Sequence, residues 1–365
     1  MKNKIYFDNA ATTPLCKSFS DHIQEYASKY YNPSSINENS LELRKEIEKC
    51  REKIAMIINC DPEEIYFTSG ASEANALAVD GFLKVNSGYK VISTNIEHDS
   101  IMNNPNISQF IPCDHYGLVK PVQFEGYNNT LFAVILANNE VGTIQPVEMI
   151  SNVIHGDNNY LFCDATQAFG KINIDVKKMG IDMLSASAHK IGGLKNIGFL
   201  YVNKSIKISP IIYGNQEEHL RGGTYNYLGI KSLSCAIDEI INFNYLRIMN
   251  LRDYLAQKLV NLCPNITING HMSMRLPNNL NICIHGVTAD SQQLVSLLDL
   301  YGFIVSAGSA CNSGENKPSH VLMAMYNDEE IANHSIRITL GNQNTKEEVD
   351  EFIRCLKNII KMYKI

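Results

Sequence analysis

The sequence predicts an α/β fold, with a large domain built on a mostly parallel central sheet and a smaller α+β domain at the C-terminal end. Two observations predict this organisation. Short apolar runs alternate with helical patterns through the first 240 residues, an order typical of parallel sheets covered by helices. The pattern changes near Asn242, where a long amphipathic segment leads into shorter strands. A chain of 365 residues is long enough for one large and one small domain.

The strands of the large domain are predicted from short runs of apolar and β-branched residues. These runs are Glu64–Thr68, Lys90–Ser93, Leu131–Ala137, Tyr160–Cys163 and Asp182–Ser185. A helix is predicted from Ala71 to Leu83, directly after the first of these strands. In such sheets ligands bind beyond the carboxyl ends of the strands, so these ends are the place to look for a site.

The smaller domain is predicted from a second set of elements. They are a helix over Leu246–Leu262, strands at Leu280–Ile284, Ile304–Ser306 and Ser335–Leu340, and a final helix over Lys346–Tyr363. Thr345 followed by Glu347 and Glu348 is a typical helix start. We expect residues 16–246 to form the large domain, and residues 1–15 together with 247–365 to form the small one.

Composition excludes several classes of function. The net charge of −6 and the absence of a basic stripe argue against nucleic-acid binding. The longest apolar run, Leu131–Ala137, is far too short to cross a bilayer. The N-terminal segment becomes polar too early for a signal peptide. We therefore expect a soluble, cytoplasmic protein with no nucleic-acid or membrane partner.

The ten cysteines are scattered, and none shows the CxxC spacing of zinc or thioredoxin-like sites. Unpaired cysteines in this number indicate a reducing compartment. Most lie in apolar segments and are expected to be small buried side chains, as in the strand that contains Cys163. Cys311 differs because it lies among small and polar residues in the loop 305–319. We expect a reactive thiol there, on a loop that can carry it to a substrate.

Three segments that follow predicted strands carry chemically useful side chains. Thr68–Glu73 opens a helix with small residues, which suits an anion. Asp164 ends a buried strand, a costly position for a carboxylate without a partner. Lys190 follows another apolar strand, where desolvation lowers the pKa of an amine. The helix start and the lysine are each more often structural when taken alone, and a structural role for Asp164 is about as frequent as a functional one. Together the three match the needs of a pyridoxal 5′-phosphate (PLP) site: a Schiff-base lysine, an acid facing the ring nitrogen and a phosphate cradle.

With these residues in place, a family resemblance emerges over nearly the whole chain. The matching motifs are YFDNAATTP at 6–14, NPSS at 32–35, FTSGASEANALAV at 67–79, EH at 97–98, NNEVGTIQP at 138–146, DATQAFGKINIDV at 164–176, SASAHK at 185–190, RGGT at 221–224, GSACNSG at 308–314, PSHVL at 318–322 and IRITLG at 336–341. The chain resembles class V aminotransferase-type PLP enzymes, and within them the group I (NifS/IscS-like) cysteine desulfurases. This resemblance implies the PLP-dependent transferase fold type I.

The resemblance also implies roles for individual residues at a PLP site. Lys190 would hold PLP, Asp164 would pair with the pyridinium nitrogen, and Gln167 would hydrogen-bond the ring hydroxyl. His98 would stack on the ring and take part in proton transfer. The residues implied to contact the phosphate are Ala71, Ser72, Ser187, His189 and, from the neighbouring subunit of a homodimer, Thr224.

For the substrate, L-cysteine, the resemblance implies a carboxylate site formed by Asn139 and Arg337, with Asn139 also beside the cofactor. Lys190 would remove the α-proton, and the Cys311 thiolate would attack the substrate sulfur. The products would be L-alanine and a persulfide on Cys311. The persulfide would pass to an acceptor, which the sequence leaves open between an iron–sulfur scaffold, a tRNA-thiolation protein and an enzyme of a cofactor pathway.

Two alternative functions remain open from the sequence. One is another class V PLP reaction, such as selenocysteine lysis or transamination, although transamination needs no thiol such as Cys311. The other is a sulfur or metal carrier without catalysis, which the scattered cysteines do not favour. One departure from the family pattern concerns the segment Ile191–Gly198, which lacks the usual proline after the lysine. This change removes no catalytic group.

Overall fold

The computed structural model describes residues 4–156, 158–241, 243–308 and 318–364. Its strands, in chain order, are β1 (Ile5–Tyr6), β2 (Ile65–Thr68), β3 (Lys90–Thr94), β4 (Ile107–Ile111), β5 (Thr130–Ile135), β6 (Tyr160–Asp164), β7 (Met183–Ser187), β8 (Gly198–Val202), β9 (Ile266–Asn269), β10 (Asn279–Ile284), β11 (Phe303–Ile304) and β12 (Ser335–Thr339).

The α-helices are α1 (Lys17–Ser20), α2 (Ile23–Ala27), α3 (Glu38–Ile58), α4 (Ala71–Ala76), α5 (Phe82–Val85), α6 (Asp99–Met102), α7 (Val147–Ile154), α8 (Val176–Met179), α9 (Tyr227–Ile241), α10 (Tyr245–Leu262), α11 (Ser291–Leu300), α12 (His320–Tyr326), α13 (Glu329–Asn333) and α14 (Lys346–Met362). A π-helical turn, Leu77–Gly81, joins α4 to α5, and a short 3₁₀ turn, Ala188–Lys190, follows β7.

The central sheet has seven strands in the order β2-β8-β7-β6-β5-β3-β4. The strands β4, β3, β5, β6 and β7 are parallel to one another, whereas β8 runs antiparallel to both β7 and β2. Because β5 and β7 are buried along their whole length and β6 is buried after its first residue, their sequences read as continuous apolar runs rather than alternating ones. The predicted α/β fold with a mostly parallel sheet is confirmed.

The predicted strands of the large domain are all present, with small shifts at their ends. β5 stops at Ile135, two residues earlier than expected, and Gln145 N–H instead donates to the Leu136 carbonyl. Asp164 is the last residue of β6 itself. The helix predicted from Ala71 continues to Val85 but widens into the π-helical turn. Such turns commonly occur beside functional sites.

A second, three-stranded antiparallel sheet has the order β12-β10-β9. The N-terminal segment lies beside this part of the chain, because β1 pairs with β11 in a parallel two-stranded sheet and Asp8 forms a bridge with Thr339. The predicted strand at Ile304–Ser306 is shorter than expected, since β11 ends at Ile304. Ser306 instead forms an isolated bridge with Arg337.

Separate hydrophobic cores support the two sheets. One core packs α3, α7 and α9 against one face of the central sheet, with Phe169 and Phe199 in edge-to-face contact. Another core contains α10, α11 and α14 together with Phe7 from the N-terminal segment. Phe7 packs edge-on against Phe352 of α14, so burial of aromatic surface fixes the N-terminal segment to the C-terminal helix. Among the described residues, no helix is both long and apolar enough to cross a membrane.

Candidate active site

A cavity of about 470 Å³ lies at the carboxyl ends of the parallel strands β6 and β7. Ten of the twelve residues expected at the site line it: Ala71, Ser72, His98, Asn139, Asp164, Gln167, Ser187, His189, Lys190 and Arg337. Of the other two, Thr224 is described elsewhere in the fold and Cys311 lies outside the described residues. The roles expected of these residues remain predictions, but the structure places ten of the side chains together.

Lys190 is positioned by the end of β7 and by the N-terminal segment. The 3₁₀ turn after β7 ends at Lys190, and Lys190 Nζ donates hydrogen bonds to the carbonyl oxygens of Ala10 at 2.6 Å and Ala11 at 2.8 Å. These two residues belong to the motif at 6–14, so this motif orients the amine. The amine therefore has a defined position at the wall of the cavity.

Asp164 is almost fully buried, and hydrogen bonds hold both of its carboxylate oxygens. Asn75 Nδ2 donates to Oδ2 at 2.9 Å, and the backbone N–H of Thr166 donates to Oδ1 at 2.9 Å. Asn75 is itself fixed, because Ser185 Oγ donates to its Oδ1 at 2.5 Å. A carboxylate that accepts such bonds is compensated for its loss of water. Asp164 is thus held in one orientation at the end of β6.

A chain of hydrogen bonds connects Asp164 to His98. Asn75 Nδ2 also donates to Ser100 Oγ at 2.9 Å, and Ser100 Oγ lies 2.9 Å from His98 Nδ1. The backbone N–H of Ser100 points at the same nitrogen, at 3.2 Å. Because a backbone N–H only donates, Nδ1 is the acceptor, and the proton of the neutral imidazole is on Nε2. The fold therefore selects one tautomer of His98.

Asn75 and Ser100 are site residues that the sequence reasoning missed. Asn75 lies inside the quoted motif 67–79, and Ser100 lies two residues after the motif at 97–98. Asn75 comes one helical turn after Ala71, so the two residues share a face of the helix. The helical spacing from Ala71 could have identified Asn75 as a site residue from the sequence. Its hydrogen bond to Asp164 is visible only in the structure, because Asp164 lies on a separate element, β6.

The end of the cavity near α4 has the polar groups expected of an anion site. Ser72, Ser187 and His189 line it, together with Lys195. Burial, and then the nearby cations Lys190 and Lys195, lower the pKa of His189 to about 4. His189 is therefore neutral near pH 7 and can act only as a hydrogen-bond donor or acceptor. Its Nδ1 lies 3.2 Å from Thr12 Oγ1.

Close backbone packing positions the turn before α4. A Cβ atom added to Gly198 would lie 2.8 Å from the Gly70 Cα and 2.5 Å from the Ala186 carbonyl oxygen. Strand β8 can therefore pass beside this turn only because position 198 has no side chain. The same contact brings the loop after Lys190 against the start of α4.

Thr224 lies on an exposed segment, and the described residues that line the cavity of its own chain do not include it. The segment is tied to the start of α4 by Arg221, which forms a bidentate ion pair with Glu73 at 2.7 and 3.1 Å. Bidentate pairs of this kind fix orientation as well as position. The Thr224 segment is thus anchored at its base and exposed at Thr224.

Arg337 forms the opposite wall of the cavity, although its side chain is only 1% exposed. Its Nη2 donates to Asp8 Oδ1 at 2.9 Å and its Nη1 donates to the Asn139 carbonyl at 3.0 Å. Within the described residues, Arg337 Nε and Asn139 Oδ1 have no hydrogen-bond partner. A buried donor without a partner is costly, so a polar ligand at this wall would relieve that cost.

Glu97 is a second buried acid beside the site, and it was not singled out from the sequence. Burial raises its pKa to about 8, although hydrogen bonds from Thr94 and from the Ile135 N–H oppose the rise. Its backbone carbonyl lies 2.9 Å from His320 Nε2. Glu97 is therefore mostly protonated at neutral pH and adds little charge near Asp164.

The residues on either side of the Cys311 segment lie beside Glu140. Ser319 Oγ donates to Glu140 Oε2 at 2.5 Å, and a Cβ atom added to Gly308 would lie 3.4 Å from the same oxygen. The nine cysteines that the structure describes are free, and burial raises the pKa of those with a resolved shift, such as Cys60. Thiols with a raised pKa are poor nucleophiles near neutral pH, since the thiolate is the reactive form.

Comparisons with known proteins identify the family of the chain. The family model described as aminotransferase class-V matches residues 5–352. The chain is 37% identical over 378 residues to the cysteine desulfurase IscS of Dictyoglomus turgidum, an alignment that covers 99% of this chain and 95% of that protein.

Solved structures give the same result. A NifS-like protein superposes with a TM-score of 0.90 at 33% identity, covering 98% of this chain and 100% of the other. A structure of SspA in complex with cysteine gives a TM-score of 0.80 at 32% identity, covering 92% of this chain and 98% of that one. The resemblance found in the motifs is confirmed. The chain belongs to the class-V aminotransferase family and, within it, to the IscS- and NifS-like cysteine desulfurases.

Proposed function

We propose that the chain is a PLP-dependent cysteine desulfurase, which converts L-cysteine to L-alanine and takes up the sulfur on Cys311 as a persulfide. One observation carries this proposal: the Lys190 amine, the Asp164 carboxylate and the Arg337 guanidinium line a single cavity. These are the groups needed to hold the cofactor, to pair with its ring nitrogen and to bind an amino-acid carboxylate. The names of the relatives and the cysteine complex of SspA support the same reaction.

The residues of the cavity fit PLP. The amine of Lys190 and the held carboxylate of Asp164 lie at the ends of neighbouring strands, β7 and β6. Hydroxyl and backbone donors line the end near α4, where a phosphate would bind. In this arrangement Lys190 would hold the cofactor, Asp164 would face its ring nitrogen, and Gln167 would reach its ring hydroxyl. Bound PLP would supply an electron sink for the α-carbon of the substrate.

His98 and the phosphate-binding residues complete the proposed cofactor site. His98 would lie against the ring, with the tautomer fixed by Ser100. Ala71, Ser72, Ser187 and His189 would contact the phosphate. Thr224 would serve the site of a neighbouring subunit, which is why we also propose a homodimer; the exposure of Thr224 supports this arrangement.

The substrate carboxylate would bind at the wall formed by Arg337 and Asn139. Arg337 has five N–H groups, two of which are used by Asp8 and the Asn139 carbonyl. The remaining donors include the buried Nε, which has no partner among the described residues. A carboxylate at this position would therefore gain a charge-assisted pair and remove an unsatisfied donor.

Lys190 is also the group that would move the α-proton of the substrate. Its Nζ is held by two carbonyl oxygens, which accept from it and leave the nitrogen anchored close to the substrate wall. Once the amine is free, it can accept a proton at Nζ and later return it to carbon.

Sulfur transfer would require the Cys311 thiolate. Its Sγ would attack the sulfur atom of the substrate, so that an S–S bond forms while the C–S bond breaks. The electron pair of the broken bond remains with the substrate carbon, which takes up a proton and leaves as L-alanine. Cys311 then carries the sulfur as a persulfide, and no external oxidant is needed.

The acceptor of this sulfur is proposed as a protein that itself uses sulfur, either an iron–sulfur scaffold or a thiolation enzyme. The names of the relatives favour iron–sulfur cluster assembly. Because the nucleophile must be a free thiol, we propose a reducing compartment, the cytoplasm, as the place of action.

The proposal is tested by measuring alanine and sulfide released from L-cysteine in the presence of a reductant. We expect the wild type to release both, and Cys311→Ala to bind PLP, seen as yellow colour, while releasing neither. Cys60→Ala is the matched control and should remain active, because the Cys60 thiol has its pKa raised by burial. If Cys311→Ala is as active as the wild type, Cys311 is not the sulfur acceptor. A wild type that cleaves only selenocysteine would instead be a selenocysteine lyase.

A further inference from the structure

Lys171 is a buried lysine beside the site that the proposed chemistry does not use. Its residue exposure is only 8%. It lies in the turn after β6, and its Nζ donates to the backbone carbonyl of Gln167 at 3.1 Å and to the side-chain Oε1 of the same residue at 3.3 Å. In the described part of the chain, no acidic side chain forms an ion pair with it. A buried amine without a counter-ion is costly in free energy, so the burial of Lys171 needs a structural explanation.

The electrostatic surroundings of Lys171 are positive. Burial, followed by the nearby cations Lys190 and Arg337, lowers its pKa to about 7. The amine therefore exists in both charged and neutral forms near neutral pH. Its N–H groups can donate in either form, so its hydrogen bonds to Gln167 do not require the charge.

The bonds at both ends of the Gln167 side chain determine which way its amide faces. Oε1 accepts from Lys171 Nζ, while Nε2 donates to the Ala10 carbonyl at 2.9 Å. Turning the amide over would place its NH₂ group against the amine of Lys171 and its carbonyl against the carbonyl of Ala10. The contact with Lys171 would set N–H groups against N–H groups whenever the amine is charged, and the contact with Ala10 would set two acceptor oxygens against each other at any pH. The Ala10 carbonyl and the N–H groups of Lys171 therefore both favour the observed orientation of the amide.

In this orientation the NH₂ group of Gln167 shares an acceptor with Lys190, the amine that would hold the cofactor. The Ala10 carbonyl accepts from both Gln167 Nε2 and Lys190 Nζ, the latter at 2.6 Å. Gln167 lines the cavity, and its NH₂ group has a second N–H beyond the one given to Ala10. The amide is therefore held with its donor end beside Lys190, where an acceptor oxygen on the ring would need a donor.

We propose that Lys171 is a positioning residue that holds the Gln167 amide with its NH₂ group toward Lys190 and the cofactor. This inference rests on the proposed function, because it assumes that PLP binds in the cavity. It concerns only residues of this chain and their hydrogen bonds. It does not assign Lys171 a contact with the substrate or with the cofactor.

A double-mutant cycle tests the proposal. The proteins are the wild type, Lys171→Met, Gln167→Ala and the double variant, and the quantities are the PLP dissociation constant and the absorption maximum of the bound form. We expect each single change to weaken PLP binding roughly tenfold, the effect of one lost hydrogen bond. If Lys171 acts through Gln167, the double variant binds PLP no more weakly than Gln167→Ala, and its absorption maximum matches that of Gln167→Ala. Independent, multiplying effects would overturn the proposal.

Lys171→Gln is the matched control, since it keeps N–H donors near Gln167 but has no charge. A PLP dissociation constant close to that of the wild type would support a role in orientation, whereas a loss as large as in Lys171→Met would mean that the charge matters and would overturn it. Thermal unfolding of each apoprotein identifies a variant that fails to fold, and Lys171→Gln then carries the comparison alone. A wild type that does not bind PLP would overturn the proposed function instead, so the two failures can be told apart.

Discussion

Asp8 and Arg337 are 329 positions apart in the chain, yet they form a buried ion pair in which Arg337 Nη2 lies 2.9 Å from Asp8 Oδ1. Asp8 belongs to the N-terminal segment that packs on the smaller sheet, and Arg337 lies in β12 of that sheet. The backbone carbonyl of Asn139 adds a second acceptor for the same guanidinium. The N-terminal motif at 6–14 therefore positions both the proposed carboxylate-binding arginine and, through Ala10 and Ala11, the proposed cofactor lysine.

The first prediction concerns this ion pair. We expect Asp8→Asn to raise the KM for L-cysteine about tenfold, because the guanidinium loses a charged anchor. The unfolding free energy should fall by about 3 kcal/mol, since a buried charge loses its partner. Steady-state kinetics and urea unfolding measure the two effects. Asp299→Asn is the control, because Asp299 pairs with Lys4 on an exposed surface, where such pairs contribute little. An unchanged KM in Asp8→Asn would show that Asp8 does not position Arg337.

The second prediction concerns the attachment of PLP. We expect Lys190→Ala to lose the visible absorption that a lysine-linked cofactor gives the protein, because the amine that forms the link is gone. Absorption spectra of the protein after incubation with PLP and gel filtration measure this. Lys204→Ala, at a side chain that is 77% exposed, should keep the wild-type spectrum. An unchanged spectrum in Lys190→Ala would mean that another amine holds the cofactor.

The third prediction concerns Asn75, which joins Asp164, Ser100 and Ser185. Asn75→Leu keeps the volume but leaves the Asp164 carboxylate and the Ser185 hydroxyl each without one partner. We expect the unfolding free energy to fall by about 3 kcal/mol, with PLP binding weakened as Asp164 and His98 lose their orientation. Urea unfolding and PLP titration measure the two losses. Asn152→Leu, on an exposed position of α7, should change the unfolding free energy by less than about 0.5 kcal/mol. Equal, small effects of both variants would rule out the proposed role of Asn75.

The fourth prediction concerns the pH dependence set by Glu97. Its pKa is about 8 in the folded protein, against an ordinary value of 4.5. Between these values the folded state holds a proton that the unfolded chain has released, so the contribution of Glu97 to stability falls as the pH rises. Glu97→Gln cannot ionise. We expect the unfolding free energy of Glu97→Gln, relative to the wild type, to rise by about 1.4 kcal/mol per pH unit between pH 5 and 8. This slope corresponds to the one proton that the wild type releases on unfolding in this pH range.

Urea unfolding of wild type and Glu97→Gln at several pH values provides the measurement. Glu329→Gln, at an exposed residue of α13, is the control and should follow the wild type over the whole range. If the curves of Glu97→Gln and the wild type are parallel, Glu97 is already ionised in the folded protein, and its effect on stability does not depend on pH.

Several features of the fold were predictable because they depend on local sequence. The strands that lead to Asp164 and Lys190 are buried on both faces, and burial alone requires continuous apolar runs. Other elements were missed for the opposite reason. Strand β4 at the sheet edge exposes three of its five residues, and strand β9 mixes exposed and buried positions over only four residues. Such strands have a weak pattern, so only pairing with a neighbour defines them.

The sequence by itself determined the family, the order along the chain of the strands that carry the site, and the side chains that are candidates for the chemistry, because motifs and burial patterns are local. The tertiary structure alone decided how those side chains are held. Three sets of hydrogen bonds depend on where separate elements meet. They are the pair of Asp8 with Arg337, the chain from Asp164 through Asn75 and Ser100 to His98, and the bonds that hold the Gln167 amide between Lys171 and Ala10. Hydrogen bonds require partners within about 3 Å, and only the packing of the sheets brings these partners together.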